Sequence, residues 1–545
     1  MKQPPLITPR EVDVPRAQRH TLPNGASLYA IPSDDFEVLR FTFVFRAGSS
    51  MQHAPFAASA TANMLSEGSR DMTARQIAER LDFHGSYFEV NVDRDYVYIS
   101  FSSLSKFFGP TLEVAEQILL QPLFPEDELR AYCEKRKQTL TIERRKVDTV
   151  VREIFAEALF GDKHPYGISY PEKDYDTLTR ADLESLYRRL YTAENCLVVC
   201  SGRIGEEELQ GIGALAEKLP RADRSATADF PAPRSEAYRF VERPDAVQSS
   251  LRVGRLLFTR THPDFVGMQV VATVLGGYFG SRLMQNLRGE HGYTYGVGAA
   301  MVNFEREGYL GIAAQVGAEV TAPALREIYN EIERLRREPM PEEELSLVKN
   351  IMTGEVMRIL DGPFGIADVT IENILCGCDN TVIGSNIRRI REMTPAGVQQ
   401  LARKYLRRED LVTVVAGATR TLAELLLETP GWQPPDLAGE SVVVQPHCHH
   451  AAVLGWQADA ALLERTGAEV TTLGGCCGLA GNFGVERGHY EVSVAVAEDQ
   501  LLPALRDRPE ATVLADGFSC RTQVADLTGR RAITLAELLT GHRPG

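Results

Sequence analysis

The side chains best suited to chemistry in this sequence fall in two places. The first is NLRGEHGYTYGVGAA, residues 286–300, which holds Arg288 and Tyr295 among glycines. A guanidinium and a phenol are both hydrogen-bond donors, and together they can steady charge that develops on an oxygen. Gly289, Gly292, Gly296 and Gly298 let a backbone approach closely where the segment enters a strand. The plain alternative is an ordinary turn, with Tyr295 packed and Arg288 solvated. The second place is the C-terminal end. Of 9 cysteines, Cys133, Cys196, Cys200, Cys376 and Cys378 are spread over a long first part, whereas Cys448, Cys476, Cys477 and Cys520 crowd the remainder. Such usage is not a disulfide scaffold. Four thiolates brought together could hold an iron–sulfur cluster or Zn²⁺, with His447 and His449 flanking the first. The alternative there is four reduced, buried thiols.

The elements that must position these groups are legible in part. A chain of 545 residues is too long for one domain and suggests three or four. Its 44% hydrophobic and 24% charged content is ordinary for a globular protein. A net charge of −15 argues against a general affinity for nucleic acid or anionic membrane. No apolar run reaches the roughly 20 residues that span a bilayer. The opening MKQPPLITPREVDVPR lacks the apolar stretch and small-residue cleavage site of a secretory signal, so a cytoplasmic protein is expected.

Two stretches repeat each other without a gap. LTRADLESLYRRLYTAENCLVVCSG ends at Gly202, and MTPAGVQQLARKYLRREDLVTVVAG ends at Gly417. Each sets a threonine (Thr179, Thr394) before apolar residues at helical spacing. Each then has a polar pair (Glu194-Asn195, Glu409-Asp410) and a Val- and Leu-rich run ending in glycine, which reads as a buried strand. TLPNGASLYAIP carries a hairpin signal at Asn24-Gly25. The implied plan is two duplicated α+β lobes, residues 1–215 and 241–430, joined by a Pro- and Ala-rich linker at 216–240. GWQPPDLAGE, 431–440, forms a junction to a small α/β cysteine-rich domain at 441–545.

The order of hairpin, strand with AG, helix with MLSEGS, LFGDKHPYG and then a second lobe resembles the pitrilysin/insulinase-type metallopeptidases over about residues 15–430. In that family, two or four α+β lobes close like a clamshell around an extended peptide. An active first lobe carries H-x-x-E-H on a helix and a further Glu downstream. Two His one turn apart bind Zn²⁺, and the Glu activates the bound water. Anchored on Met64-Leu65 and Gly68-Ser69, the motif here reads Ser59-Ala60-Thr61-Ala62-Asn63. The chemical positions are thus Ser59, Ala62 and Asn63, and the family spacing for the third ligand falls on Leu140 rather than Glu143. His53 and His84 have no partner at metal-ligand spacing. No cofactor is expected in the lobes. By contrast, Arg288 and Tyr295 match the family's Arg/Tyr pair, which holds the substrate carbonyl opposite the zinc. The resemblance therefore implies a non-catalytic, substrate-binding subunit that pairs with a zinc-bearing homologue and is inactive alone. An edge strand that takes up substrate by strand addition is also implied. Residues 89–101, EVNVDRDYVYISF, are a candidate, with an interior strand as the alternative.

The tail resembles a different family. VVVQPHCHHAAVLG, GGCCGLAGNFG and VLADGFSCRTQVADLTGRRAITLAELL are similar to the CCG domain of flavin-linked iron–sulfur oxidoreductases over roughly 441–541. Cys448, Cys476, Cys477 and Cys520 occupy its motif positions, and Gln523 stands where some members have a further cysteine. The second CCG copy, ferredoxin-like cysteines and flavin domain of those enzymes are not in this sequence. A competing reading follows, in which the protein is a redox component acting through the tail.

Overall fold

The structure, a computed structural model, describes residues 14–222, 230–243, 246–417, 421–429, 431–453, 455–479, 484, 486 and 488–541. The chain divides into two compact units, Met1–Ala418 and Thr419–Gly545.

The first unit holds two sheets of like design. The strands of one are β1 (Gln18–Thr21), β2 (Ser27–Pro32), β3 (Val38–Phe45), β4 (Tyr87–Val92), β5 (Val97–Leu104) and β6 (Cys196–Gly202), in the order β1-β2-β6-β3-β5-β4. The other has β7 (Tyr238–Glu242), β8 (Gln248–Leu257), β9 (Thr294–Asn303), β10 (Gly308–Gly317) and β11 (Val412–Gly417), in the order β7-β11-β8-β10-β9. In each, the last strand inserts parallel to the first long neighbour and antiparallel to the next. The duplication read from the sequence is therefore a duplication of topology.

The local chemistry repeats as well. Thr179 caps the Arg180–Leu190 helix by accepting from the Asp182 amide, while Asp182 accepts from the Thr179 amide at 2.9 Å. Thr394 caps the Pro395–Tyr405 helix, accepting from the Gly397 amide at 3.1 Å. The polar residue that follows ties each helix–strand unit to its sheet. Asn195 donates to the Leu190 and Arg46 carbonyls, and Asp410 accepts from Arg255 of β8 at 2.9 Å. The closing glycines are required sterically. A Cβ on Gly202 (φ +95°) would sit 2.3 Å from the Val38 carbonyl oxygen, and one on Gly417 would sit 2.1 Å from the Ser249 hydroxyl.

Every residue of β6 and of β11 is buried. Their sequences, CLVVCSG and VTVVAG, are apolar on both faces because both faces are covered. One face packs on the lobe's own core, where Phe41 stacks on Phe101 with ring centroids 5.1 Å apart. The other face is covered by a helix from the opposite lobe. The Val147–Phe160 helix lays Val151, Phe155 and Ala158 on Val412, Val414 and Ala416. In return the Pro363–Leu375 helix lays Ala367 and Ile371 on Val44, Leu197 and Val199. Polar contacts flank both exchanges. Arg252 donates to Asp148 at 2.8 Å, and Arg40 donates to the Phe364 carbonyl at 2.8 Å and pairs with Asp368. Buried Asp95 accepts from the Tyr166 phenol at 2.6 Å and from the Glu305 amide at 2.8 Å, tying LFGDKHPYG to the second lobe.

The second unit is a four-stranded parallel sheet of β12 (Ser441–Val444), β13 (Glu469–Thr472), β14 (Thr512–Leu514) and β15 (Ala532–Ile533), in the order β13-β12-β14-β15. Val443 faces one apolar cluster and Val442 and Val444 face another, as a doubly covered parallel sheet requires. The Leu422–Glu428 helix belongs to this unit, because its buried Ala423 packs with Leu462, Val442 and Val444. The sequence boundary at 430 had placed that helix in the second lobe. Among the described residues no helix is long and apolar enough to cross a membrane.

Truncating Phe155 should expose how much the exchange contributes. Phe155→Ala is expected to lower unfolding stability by about 3–5 kcal/mol, read by denaturant titration, against little change for Arg130→Ala on an exposed surface.

Candidate functional site

The first candidate locus is the Ala57–Asn63 helix. Its inward residues, Ala57, Ala58, Ala60, Thr61 and Ala62, are buried, so Ala62 is spent on packing. Ser59 donates to the Phe56 carbonyl at 3.0 Å, and the Asn63 carboxamide donates to the Ser59 carbonyl at 2.7 Å. Both polar side chains thus bond their own backbone. The residue facing Ser59 from the Glu126–Glu143 helix is Tyr132. Burial pushes its phenol up to about 12, against the pull of the Ser59 side chain. Leu140 is half-buried about two turns further along. Beside this, Phe56, held at φ +62°, stacks on Tyr175 with centroids 3.9 Å apart, and Arg136 hydrogen-bonds the Tyr175 phenol. His53 lies 3.6 Å from Asp182, and His84 packs against Phe83 and Phe107. Among the described residues no group of three His, Cys, Asp or Glu side chains is placed to hold a metal ion.

The second locus joins Arg288 and Tyr295. Arg288 lies in the last turn of the wide-turned segment Met284–Glu290, and a turn through Gly292 (φ +65°) leads into β9. Buried Thr294 donates to the Gln315 carbonyl at 2.5 Å and anchors the start of the strand, so Tyr295 points outward. Asn286 is buried and donates to buried Glu331 at 3.1 Å, which fixes the preceding segment. The Arg288 guanidinium carbon lies 4.6 Å from the Tyr295 ring centroid and 4.8 Å from that of Phe279. Tyr295 is 87% exposed and Phe279 73% exposed. The cation is therefore held between two aromatic faces, each contact contributing on the order of 0.5–1 kcal/mol, while its N–H groups remain directed by the planar fork. Phe279 was not singled out in the sequence. Its only signal was an aromatic residue in a glycine-rich turn, GGYFGS.

Residues 89–101 divide between two strands. β4 is the sheet edge and β5 is interior, paired with both β3 and β4. β9, which carries Tyr295, is the edge of the second sheet.

The third locus is the tail. Cys448 is exposed at the start of the Cys448–Val453 helix, Cys476 and Cys477 lie in the loop after β13, and Cys520 is buried in the Phe518–Thr528 helix. The four are near enough to act on one another. A hydrogen bond with Cys477, burial, and the fields of Cys448 and Cys476 hold the Cys520 thiol far above its ordinary value. Burial also raises Cys476, against a hydrogen bond from the Gly478 amide at 3.4 Å. His447 packs so closely that a Cβ on Gly517 would meet its ring at 2.4 Å and the Cys520 sulfur at 3.1 Å. Gln523 is buried and donates to Ser493 at 2.9 Å. The His449 side chain lies outside the described residues.

Residues 177–352 match the family described as Peptidase M16 inactive domain. That span includes Arg288 and Tyr295 and leaves out both the Ala57–Asn63 helix and the tail cysteines. An uncharacterized zinc protease of Mycobacterium tuberculosis is 27% identical over 51% of this chain and 65% of its own length, so the chain spans just under two thirds of that relative. A crystal structure of a peptidase M16 inactive domain from Pseudomonas fluorescens superposes with a TM-score of 0.68 at 24% identity, covering 74% of this chain and 99% of that one. A protease structure from Helicobacter pylori also gives 0.68, at 15% identity, with 74% and 100% covered. The fold is thus the mixed α+β fold of the M16-like structures. The chain is similar in sequence to M16-type peptidases over the matched span.

Thiol reactivity should follow this geometry. Brief alkylation at neutral pH is expected to label Cys448 first and to spare Cys477 and Cys520, as read by peptide mass spectrometry.

Proposed function

We propose that this chain is the non-catalytic, substrate-binding subunit of a pitrilysin-type zinc metallopeptidase complex. It would complete a clamshell chamber around an extended peptide, with a separate zinc-bearing homologue as partner. The observation that carries this reading is the Arg288 guanidinium held between the exposed rings of Phe279 and Tyr295. A cation and a phenol presented outward, on a rigid strand and a pinned turn, suit the binding of a carbonyl oxygen as negative charge develops on it. The motif helix supports the same reading from the other side. Its serine and asparagine bond their own backbone and its Ala62 is buried, so this helix offers no carboxylate or imidazole to activate water. The partner's zinc would supply that activation. This chain would bind and orient the scissile carbonyl.

Mixing the chain with a zinc-bearing homologue should produce chelator-sensitive hydrolysis of extended peptides that this chain alone does not show. Within that mixture Arg288→Ala should lower kcat by about 10²-fold or more and Tyr295→Phe by a smaller factor. Hydrolysis by the isolated chain, or full activity in the Arg288→Ala mixture, would overturn the assignment.

For the tail we propose a CCG-type site in which Cys448, Cys476, Cys477 and Cys520 hold an iron–sulfur cluster or zinc. The four thiols are not placed as they stand to hold an ion, but Cys477 hydrogen-bonds Cys520, and Cys448 and Cys476 are near enough to act on it, which supports the reading. Four soft sulfur donors suit either group. The exposed Cys448 and the Cys477–Cys520 hydrogen bond mean that the thiols must lose their protons and draw together on loading. Anaerobically purified chain should contain stoichiometric iron or zinc that Cys520→Ser removes. Metal-free protein from metal-replete cells would refute the site.

A further inference from the structure

We infer that the second lobe carries an apolar side-chain pocket for an extended peptide, set beside the open edge of its sheet. This rests on the peptide-binding reading above and adds a specificity to it. A cavity of about 430 Å³ lies between the Phe265–Ala272, Glu342–Ile359 and Thr381–Glu392 helices and the far half of β9. Its size falls within the roughly 300–1,000 Å³ of ordinary ligand pockets. Met301, Met352, Val356, Ile383 and Ile387 form its walls, and the exposed side chain of Ile359 also lines it. Methionine walls adapt to guests of different shape. Of the charged lining residues, Arg260 and Glu372 are paired with each other at 2.8 Å and Glu355 is exposed, so no buried unpaired charge calls for a charged guest.

The occupant is indicated by the strand beside it. β9 is the outermost strand of its sheet and, among the described residues, pairs with β10 alone. The Val297 N–H is already given to the Met284 sulfur at 3.4 Å, so an added chain would use the outer N–H and C=O groups beyond it, from Ala299 onward. Gly296, Gly298 and Ala300 are exposed and small, and leave the approach clear. Tyr295 stands at one end of β9, and Ala299, Ala300 and Met301 line the cavity. At about 3.3 Å per residue the two are roughly 13–20 Å apart along the strand. A peptide laid on β9 would present a main-chain carbonyl to Arg288 and Tyr295, and would drop an apolar side chain into the cavity about four to six residues away.

The fold explains why the space is there. The Phe265–Ala272 helix is the topological counterpart of the Ala57–Asn63 helix. Gln269, Ala272 and Thr273 line the cavity at the same i, i+3, i+4 spacing as Ser59, Ala62 and Asn63. In the first lobe Tyr132 packs at Ser59. In the second lobe the corresponding space is open.

The test uses the full chain and two end-blocked, fluorescently labelled decapeptides of Ser, Thr and Ala, one carrying a single leucine and the other an aspartate in its place. By anisotropy the leucine peptide should bind at least about tenfold tighter. Filling the cavity with Val356→Trp should erase that difference, whereas Arg288→Ala should weaken both peptides alike. Cys376 and Cys378 also line the cavity. In the unsubstituted chain the leucine peptide should slow their alkylation and the aspartate peptide should not. Equal affinities that still depend on Arg288 would remove the pocket and leave the peptide-binding reading standing. Unchanged alkylation of Cys376 and Cys378 with the leucine peptide bound would also remove the pocket. Failure of both peptides to bind would remove the two readings together.

Discussion

The structure of the first unit depends on an exchange of helices between its lobes. The last strand of each sheet, β6 or β11, is apolar on both faces, yet each lobe's own helices cover only one. The Val147–Phe160 helix crosses to bury Val414 and Ala416, and the Pro363–Leu375 helix crosses back to bury Val44 and Val199. Burial on this scale contributes roughly 1.5–3 kcal/mol per large side chain, so neither sheet is complete without the other lobe. Asp95 makes the arrangement specific. With both carboxylate oxygens used, one by Tyr166 and the other by the Glu305 amide, it fixes one relation between the lobes that apolar contact alone would leave loose. Glu305 is itself gripped by Arg46 and Tyr96.

That rigidity is what gives the Arg288 cluster meaning. Its two ends sit on different elements, a wide-turned segment and an edge strand, and each is pinned by a buried polar contact, Asn286 to Glu331 and Thr294 to Gln315. The aromatic rings then orient the cation without neutralising it. A carboxylate partner would have tied up the guanidinium N–H groups, and the rings of Phe279 and Tyr295 do not. The first lobe shows the opposite use of similar materials. There Arg136 is bonded to Tyr175, and Tyr175 is stacked under Phe56, so the aromatic and cationic groups serve packing.

What could be read in the sequence divides along the range of the interactions. The capping threonines, the polar residues after them and the closing glycines act over a few residues, and they carry the duplication in the sequence itself. The positions Ser59, Ala62 and Asn63 come instead from the family resemblance, anchored on Met64-Leu65 and Gly68-Ser69. The exchange of helices was not legible. Nothing in VDTVVREIFAEALF distinguishes a helix that covers its own sheet from one that covers a neighbour's. Strand alternation likewise did not separate the edge strand β4 from interior β5, since both show one half-buried face. Phe279 was hidden by its setting, because an aromatic residue between glycines reads as part of a turn until its distance to Arg288 is known. The junction was misplaced by a dozen or so residues, because proline and glycine in GWQPPDLAGE mark a break in regular structure, whereas the packing boundary is set by Ala423, upstream of it.

The crossed helices also bear on how such a chain can be made and divided. A ribosome finishes the first sheet, β6 included, long before it reaches Pro363, so during synthesis Val44, Leu197 and Val199 must wait uncovered for the helix that shields them. The linker between the lobes is therefore a poor place to cut. Either fragment would carry one helix with no sheet to cover and one sheet with a bare greasy face, and the two would be soluble only in each other's company.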